Sequence, residues 1–371
     1  MKKLCWASDY WEVGNAFGYS LHNKMMKQHT GKFLELSNDA DVAITIQPAD
    51  KFKPVQGKYN FLFSMFEATA VPESYLRGFD FADELVVPCR FVKDLFRRYT
   101  SKPISVCYEG VDGDLFSYRE RNFQAGQKFR ILWVGAPNPR KGYPIAIELI
   151  RVLEKYPEIE FYLKTTVPKV EYGEAMKQKA GEMLTDETLK EKETERKRLT
   201  KLALGEVKPL HGLLETWGEN KNIIFDSRTL SSEELVELYH SAHCFIFPST
   251  GEGWGLTLCE AMATGLPTIS PIHTAMVDYY SDDVGFPVGW KIEEGNFENY
   301  NLHAGMHIPD SNQFLQRIIQ VHNNYPLAVR KARRAADLMR RKFTWENAGK
   351  RLSEIVAPAI ERLKKRELAN V

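Results

Sequence analysis

Residues 247–271 read FPSTGEGWGLTLCEAMATGLPTISP. The apolar run His243–Phe247 leads into this stretch and predicts a buried strand closed by Pro248. A turn carrying Gly251, Gly253 and Gly255 follows. Leu256–Ala263 then predicts a short helix, stopped by Gly265 and Pro267 in the usual order. Thr268–Ser270 opens another strand. The unit is strand, glycine turn, helix, strand.

Such a turn leaves backbone N–H groups unpaired at a helix N-terminus, where they and the helix dipole favour an anion such as a diphosphate. Glycine at 251, 253 and 255 admits close approach of a ligand to the backbone. Two carboxylates flank the site, Glu252 in the turn and Glu260 on the helix. Beside phosphates they are unfavourable unless they bind something else, and sugar hydroxyls are suitable partners. One sugar at each carboxylate, with phosphates between, outlines a nucleotide-sugar site. The alternative is a turn that only reverses the chain, with two solvated glutamates.

Glu252, seven residues and Glu260 match the E-x7-E signature of retaining GT-B glycosyltransferases of the family 4 (glycosyl transferases group 1) type. Pro248-Ser249, Gly253-Trp254-Gly255-Leu256, Glu260-Ala261-Met262-Ala263 and Gly265-Leu266-Pro267 resemble the same family. The resemblance implies an α/β GT-B fold, two Rossmann-like β/α/β domains facing a cleft. It also implies retaining transfer of a sugar from a nucleoside diphosphate sugar, the co-substrate, to a carbohydrate or other hydroxyl acceptor, with no cofactor or metal required. Glu252 would then hold the donor sugar, Glu260 the ribose, and Gly253, Trp254, Gly255, Leu256 and Thr257 the diphosphate side of the donor.

The rest of the chain fits this outline. With 371 residues, 43% hydrophobic and 27% charged, it supports two domains with sizeable cores. A net charge of +1 gives no global attraction to nucleic acid, and no stretch approaches the roughly 18 apolar residues of a membrane helix. Five cysteines without a C-x-x-C pair, mostly in apolar runs, suggest buried thiols of a cytoplasmic protein. The expected layout is an acceptor domain over 1–124, a donor domain over 125–343 and a C-terminal crossover helix over 344–371. A charged helical insertion is expected at about 166–220.

Further site candidates follow from position and resemblance. Gly14 and Asn15 lie in the first β–α loop, which in the resembling family faces the donor phosphates; an ordinary turn is the alternative. Glu67 follows the strand Tyr59–Ser64, at a strand end where open α/β sheets bind ligands, and is a candidate for the acceptor hydroxyl; a carboxylate at a helix N-terminus is the alternative. Lys141 matches the family lysine that neutralises the leaving diphosphate. The family arginine position holds Ala136, which removes about one charge-assisted phosphate contact, of order 1.5–3 kcal/mol, unless Arg140 reaches the same phosphates. Arg228 is a candidate base or phosphate contact. Asp278 matches loosely a family acidic residue near the sugar. His240 and His243 are expected in core or surface roles, and the basic run from Lys331 to Lys342 is expected on a solvated helix face. Three rival readings remain: a nucleotide-sugar epimerase, an inactive sugar-nucleotide-binding protein, and a transferase acting on a modified nucleic acid base.

Overall fold

The computed structural model describes residues 2–8, 18–124, 126–165, 221–297 and 302–369. Gly14, Asn15 and the expected insertion at 166–220 lie outside them.

Short strands whose residues are apolar on both faces build parallel sheets covered by helices. β3 (Val42–Ile46) is such a strand, buried throughout. It joins β1 (Lys3–Trp6), β2 (Glu35–Leu36), β4 (Tyr59–Phe63), β5 (Glu84–Val87) and β6 (Ile104–Val106) in a parallel sheet of order β2-β1-β3-β4-β5-β6. The two-residue edge strand β2 is too short for a periodic signal.

A second parallel sheet contains β7 (Phe129–Val134), β8 (Ile159–Lys164), β9 (Ile223–Asp226), β10 (Cys244–Ile246), β11 (Thr268–Pro271) and β12 (Phe286–Val288). Its order, β12-β11-β10-β7-β8-β9, is the doubly wound arrangement, and it reverses between β7 and β10. The segment after β7 holds Arg140 and Lys141, and the turn after β10 holds Glu252. The switch point therefore brings together residues more than a hundred positions apart.

The helix Trp345–Ala369 returns to the first sheet. Trp345, Ala348, Leu352 and Val356 share a core with Leu4, Met26, Ile44 and Phe63. A second apolar cluster runs across both sheets' territories, joining Met65, Phe66 and Tyr75 to Trp254, Leu258, Tyr279 and Phe343. All five cysteines are free and buried. Among the described residues no helix is long and apolar enough to cross a membrane.

Three features depart from the expectations. β13 (Trp290–Phe297) and β14 (Leu302–Pro309) form an antiparallel ribbon, which no hairpin-turn dipeptide announces. It crosses to the first domain, where the Thr69 amide donates to the Gly305 carbonyl (3.1 Å) and the Gly305 amide to the Thr69 hydroxyl (2.7 Å). Lys331 is not on the solvated face with its basic neighbours. It is buried, with its ammonium on the Asp282 carboxylate (2.7 Å) and the Gly285 carbonyl (3.2 Å). Asp278, whose side chain is fully buried, is a latch between domains: it accepts from the Arg90 amide (2.8 Å), the Arg90 guanidinium and the Tyr108 hydroxyl (3.3 Å). Replacing Asp278 by Ala should lower unfolding free energy by about 1–3 kcal/mol, because it removes these hydrogen bonds to a charged group. Urea denaturation checks this, and an unchanged midpoint would show that the latch contributes nothing.

Candidate active site at the sheet switch point

Asn138 starts the segment after β7 by accepting from the Lys141 amide at 3.0 Å, which tightens the turn Pro139–Lys141. That cap points Arg140 and Lys141 toward the neighbouring turn after β10. The Lys141 ammonium meets both Glu252 oxygens, at 2.7 and 2.9 Å. Arg140 donates to the Gly251 carbonyl (2.8 Å) and to Glu252 (3.3 Å). The Ser249 hydroxyl donates to Glu252 Oε1, the oxygen nearest Lys141, at 2.7 Å. Glu252 itself is only 4% exposed.

The electrostatics follow from this geometry. Burial alone would push the Glu252 carboxyl up, but the Lys141 and Arg140 charges and the Lys141 and Ser249 bonds outweigh it and hold it at about 2. Lys141 is lowered, because burial and the Arg140 charge outweigh the pull of Glu252. The cluster thus places two cations, Lys141 and Arg140, on one buried carboxylate.

The first domain closes on the same turn. Glu67 lies 3.7 Å from Arg140, so the expected acceptor-side carboxylate does join the cluster. At Gly251 and Gly253 the missing side chains make room for this domain. A Cβ at 251 would come within 2.5 Å of the Glu67 carbonyl, and one at 253 within 2.1 Å of the Met65 sulfur. Gly255 has φ +94° at the helix N-cap, a conformation that glycine takes freely. The Leu258 amide is bonded to the Gly255 carbonyl (3.0 Å), which leaves the Leu256 and Thr257 amides at the head of the helix Leu256–Ala263.

Other expected site residues are placed differently. Glu260 is buried and accepts from the Tyr239 hydroxyl at 2.8 Å. Burial pushes its carboxyl up to about 7 against that bond. The Trp254 ring is 2% exposed and packs among Tyr108, Tyr279 and Phe343, so only its backbone belongs to the turn. Arg228 is committed to Asp226 through two bonds, of 3.0 and 2.9 Å, with its side chain largely in solvent. It shares the C-terminal edge of the sheet and is not drawn into the Lys141–Glu252 cluster. His243 accepts from the Arg130 amide (2.9 Å) and His240 contacts the Ser117 carbonyl (3.0 Å), both structural roles.

Sequence patterning did not single out Glu109, which faces this cluster, or its partner His22. Glu109 is 3% exposed and lies 3.4 Å from the buried His22. Burial, and then the Glu252 charge, raise the Glu109 carboxyl, and Lys141 opposes them, so the charges of the second domain act on the first. Periodicity marks His22 only as a core position, and carries no signal for its partner.

Two opposed parallel α/β domains with a cation–carboxylate cluster at the switch point define a GT-B fold, and solved structures agree. Anabaena HepE, solved with UDP and glucose, is 13% identical and superposes with a TM-score of 0.63 over 96% of this chain and 100% of that one. Sucrose-phosphate synthase from Thermosynechococcus elongatus gives 15% identity and a TM-score of 0.59 over 93% of this chain and 79% of that one. The family model described as glycosyl transferases group 1 matches residues 116–303, just over half of the chain, and the chain belongs to that family. Among curated relatives, sulfoquinovosyl transferase SQD2 of Arabidopsis thaliana is 32% identical over 71 residues, 19% of this chain. The mannosyltransferase WbdA of Escherichia coli is 25% identical over 135 residues, 36% of this chain. The matches span 14% of the length of each of these relatives.

The depressed Glu252 carboxyl gives a signed prediction. A carboxyl held below its unfolded value of about 4.3 contributes stability above that pH and loses it as pH falls toward about 2. Lys141→Ala should therefore cost about 2 kcal/mol at pH 7 and distinctly less at pH 3. Denaturation at the two pH values measures this, and equal losses would contradict the pairing.

Proposed function

We propose that the protein is a glycosyltransferase that moves a sugar from a nucleoside diphosphate sugar to an acceptor hydroxyl, with retention of anomeric configuration and without a required metal. One observation carries the reading: Lys141 and Arg140 converge on the buried Glu252 beside the free amides of a helix N-terminus, at the switch point of a doubly wound sheet. The complex of the neighbour HepE with UDP and glucose is consistent with it.

In this reading the donor diphosphate lies against the Leu256 and Thr257 amides and takes over part of the charge that Lys141 and Arg140 now give to Glu252. Arg140 supplies the second cation that the residue at 136 lacks, which favours an active enzyme over a mere binding protein. As the bond to the anomeric carbon breaks, negative charge grows on the diphosphate, and these fixed cations and amides stabilise it without reorganising. Glu252, freed toward the sugar, accepts from its hydroxyls, and Glu260 serves the ribose. Glu67, which approaches Arg140 from the other domain, meets the incoming acceptor hydroxyl. The domains part to admit the donor and close again to exclude water.

Incubation with UDP-, GDP-, ADP- and TDP-sugars tests the proposal. One of them should raise the melting temperature and be slowly hydrolysed to the nucleoside diphosphate, and Glu252→Ala should lower turnover about 100-fold or more. No stabilisation by any donor would sink the reading. With an acceptor in hand, Glu67→Gln should depress turnover about 100-fold at unchanged donor affinity. Unchanged turnover would remove Glu67 from the site.

A further inference from the structure

Glu252 is fixed at its main chain as well as at its carboxylate. Its amide donates to the Thr274 hydroxyl at 3.1 Å, and its carbonyl accepts from the Ala275 amide at 3.3 Å. Thr274 is the one non-glycine residue with positive φ (+45°) among the described residues. A β-branched residue is an outlier in that region, and such a conformation persists only where the surroundings impose it. A glycine would take it without strain. What the threonine adds is a hydroxyl, buried with the rest of the residue and aimed at the Glu252 amide.

The hydroxyl has a second partner. His273 Nδ1 lies 3.2 Å from it. Because the hydroxyl accepts from the amide, its own proton is available to Nδ1 of a neutral imidazole. Burial, followed by the His307 charge, keeps that imidazole neutral, with its affinity for a proton lowered to about 3. The ring is held in turn: it stacks on His307 (centroids 4.9 Å apart), and the His307 amide donates to the Thr250 carbonyl at 3.1 Å. The loop after β11 and the strand β14 therefore grip the turn on both sides of Glu252.

We propose that Thr274 is a positioning residue, whose hydroxyl, held between the Glu252 amide and His273, fixes the main chain so that the Glu252 carboxylate meets Lys141 and the transferred sugar. The role toward the sugar rests on the glycosyltransferase reading, whereas the role toward Lys141 does not.

Three variants separate the hydroxyl from the fold. Thr274→Ser keeps the hydroxyl, Thr274→Val keeps the branched shape without it, and Thr274→Gly removes hydroxyl and strain together. Two readouts are taken: the titration of the Glu252 carboxyl by carbon-13 NMR, and kcat and donor KM. The Glu252 carboxyl should titrate as in wild type in the Ser variant, and about one unit or more higher in the Val and Gly variants. In those two, kcat should fall about 10- to 100-fold with a smaller change in donor KM, and Ser should restore it. Should the Val variant not fold, the Gly variant carries the same comparison. Wild-type titration and turnover in Val or Gly would overturn the proposal. If the wild-type protein acts on no donor while Val still shifts the Glu252 titration, the positioning role stands and the transferase reading fails.

Discussion

A carboxylate taken out of water must be paired and hydrogen-bonded, or it gives up its charge. Glu252 is almost fully buried and remains ionised because Lys141, Arg140 and Ser249 converge on its carboxylate, while a third segment holds its main chain. Lys141 and Arg140 come from the loop after β7, Ser249 from the end of β10, and Thr274 and Ala275 from the loop after β11. Glu67 reaches the same group from the other domain, through Arg140. The reversal of strand order between β7 and β10 makes this convergence possible, because it opens a crevice between two loops that would otherwise be separated by a strand.

The contact between domains is built around the same turn. Gly251 and Gly253 lack the side chains that would strike Glu67 and Met65, and the Trp254 ring fills the space between Tyr108 and Phe343. The Arg90–Asp278 latch and the β13–β14 ribbon on Thr69 join the domains on either side. A small shift of the first domain would therefore be felt directly at the Arg140–Glu252 cluster. Such coupling suits an enzyme that must keep water out while a sugar is in transit.

Much of this was legible in the sequence where the signal is local. The apolar run before Pro248, the three glycines and the Gly265–Pro267 stop mark strand, turn and helix, and the structure places a helix at Leu256–Ala263 with Gly265 at φ +73°. Lys141, Glu252 and Glu67 come together as their strand-end positions suggest. What stayed hidden depends on partners far along the chain. Trp254 looks like a ligand contact in the turn but finds three aromatic rings in the folded core. Lys331 looks solvated among arginines, but carbonyls of the 282–285 segment draw it inside. The β13–β14 ribbon has exposed apolar residues such as Ile292, half exposed, and is placed by a contact with Thr69 more than two hundred residues away. The strain at Thr274 has no sequence signature, since β-branched residues are outliers at positive φ.

In the proposed enzyme the Lys141–Arg140–Glu252 cluster and the head of the helix Leu256–Ala263 receive a donor diphosphate. A crystal structure with the nucleoside diphosphate of the stabilising donor tests it most directly. The two phosphates should lie against the Leu256 and Thr257 amides, with the Lys141 ammonium moved from Glu252 onto a phosphate oxygen. A diphosphate bound elsewhere, with the Lys141–Glu252 pair unchanged, would contradict it.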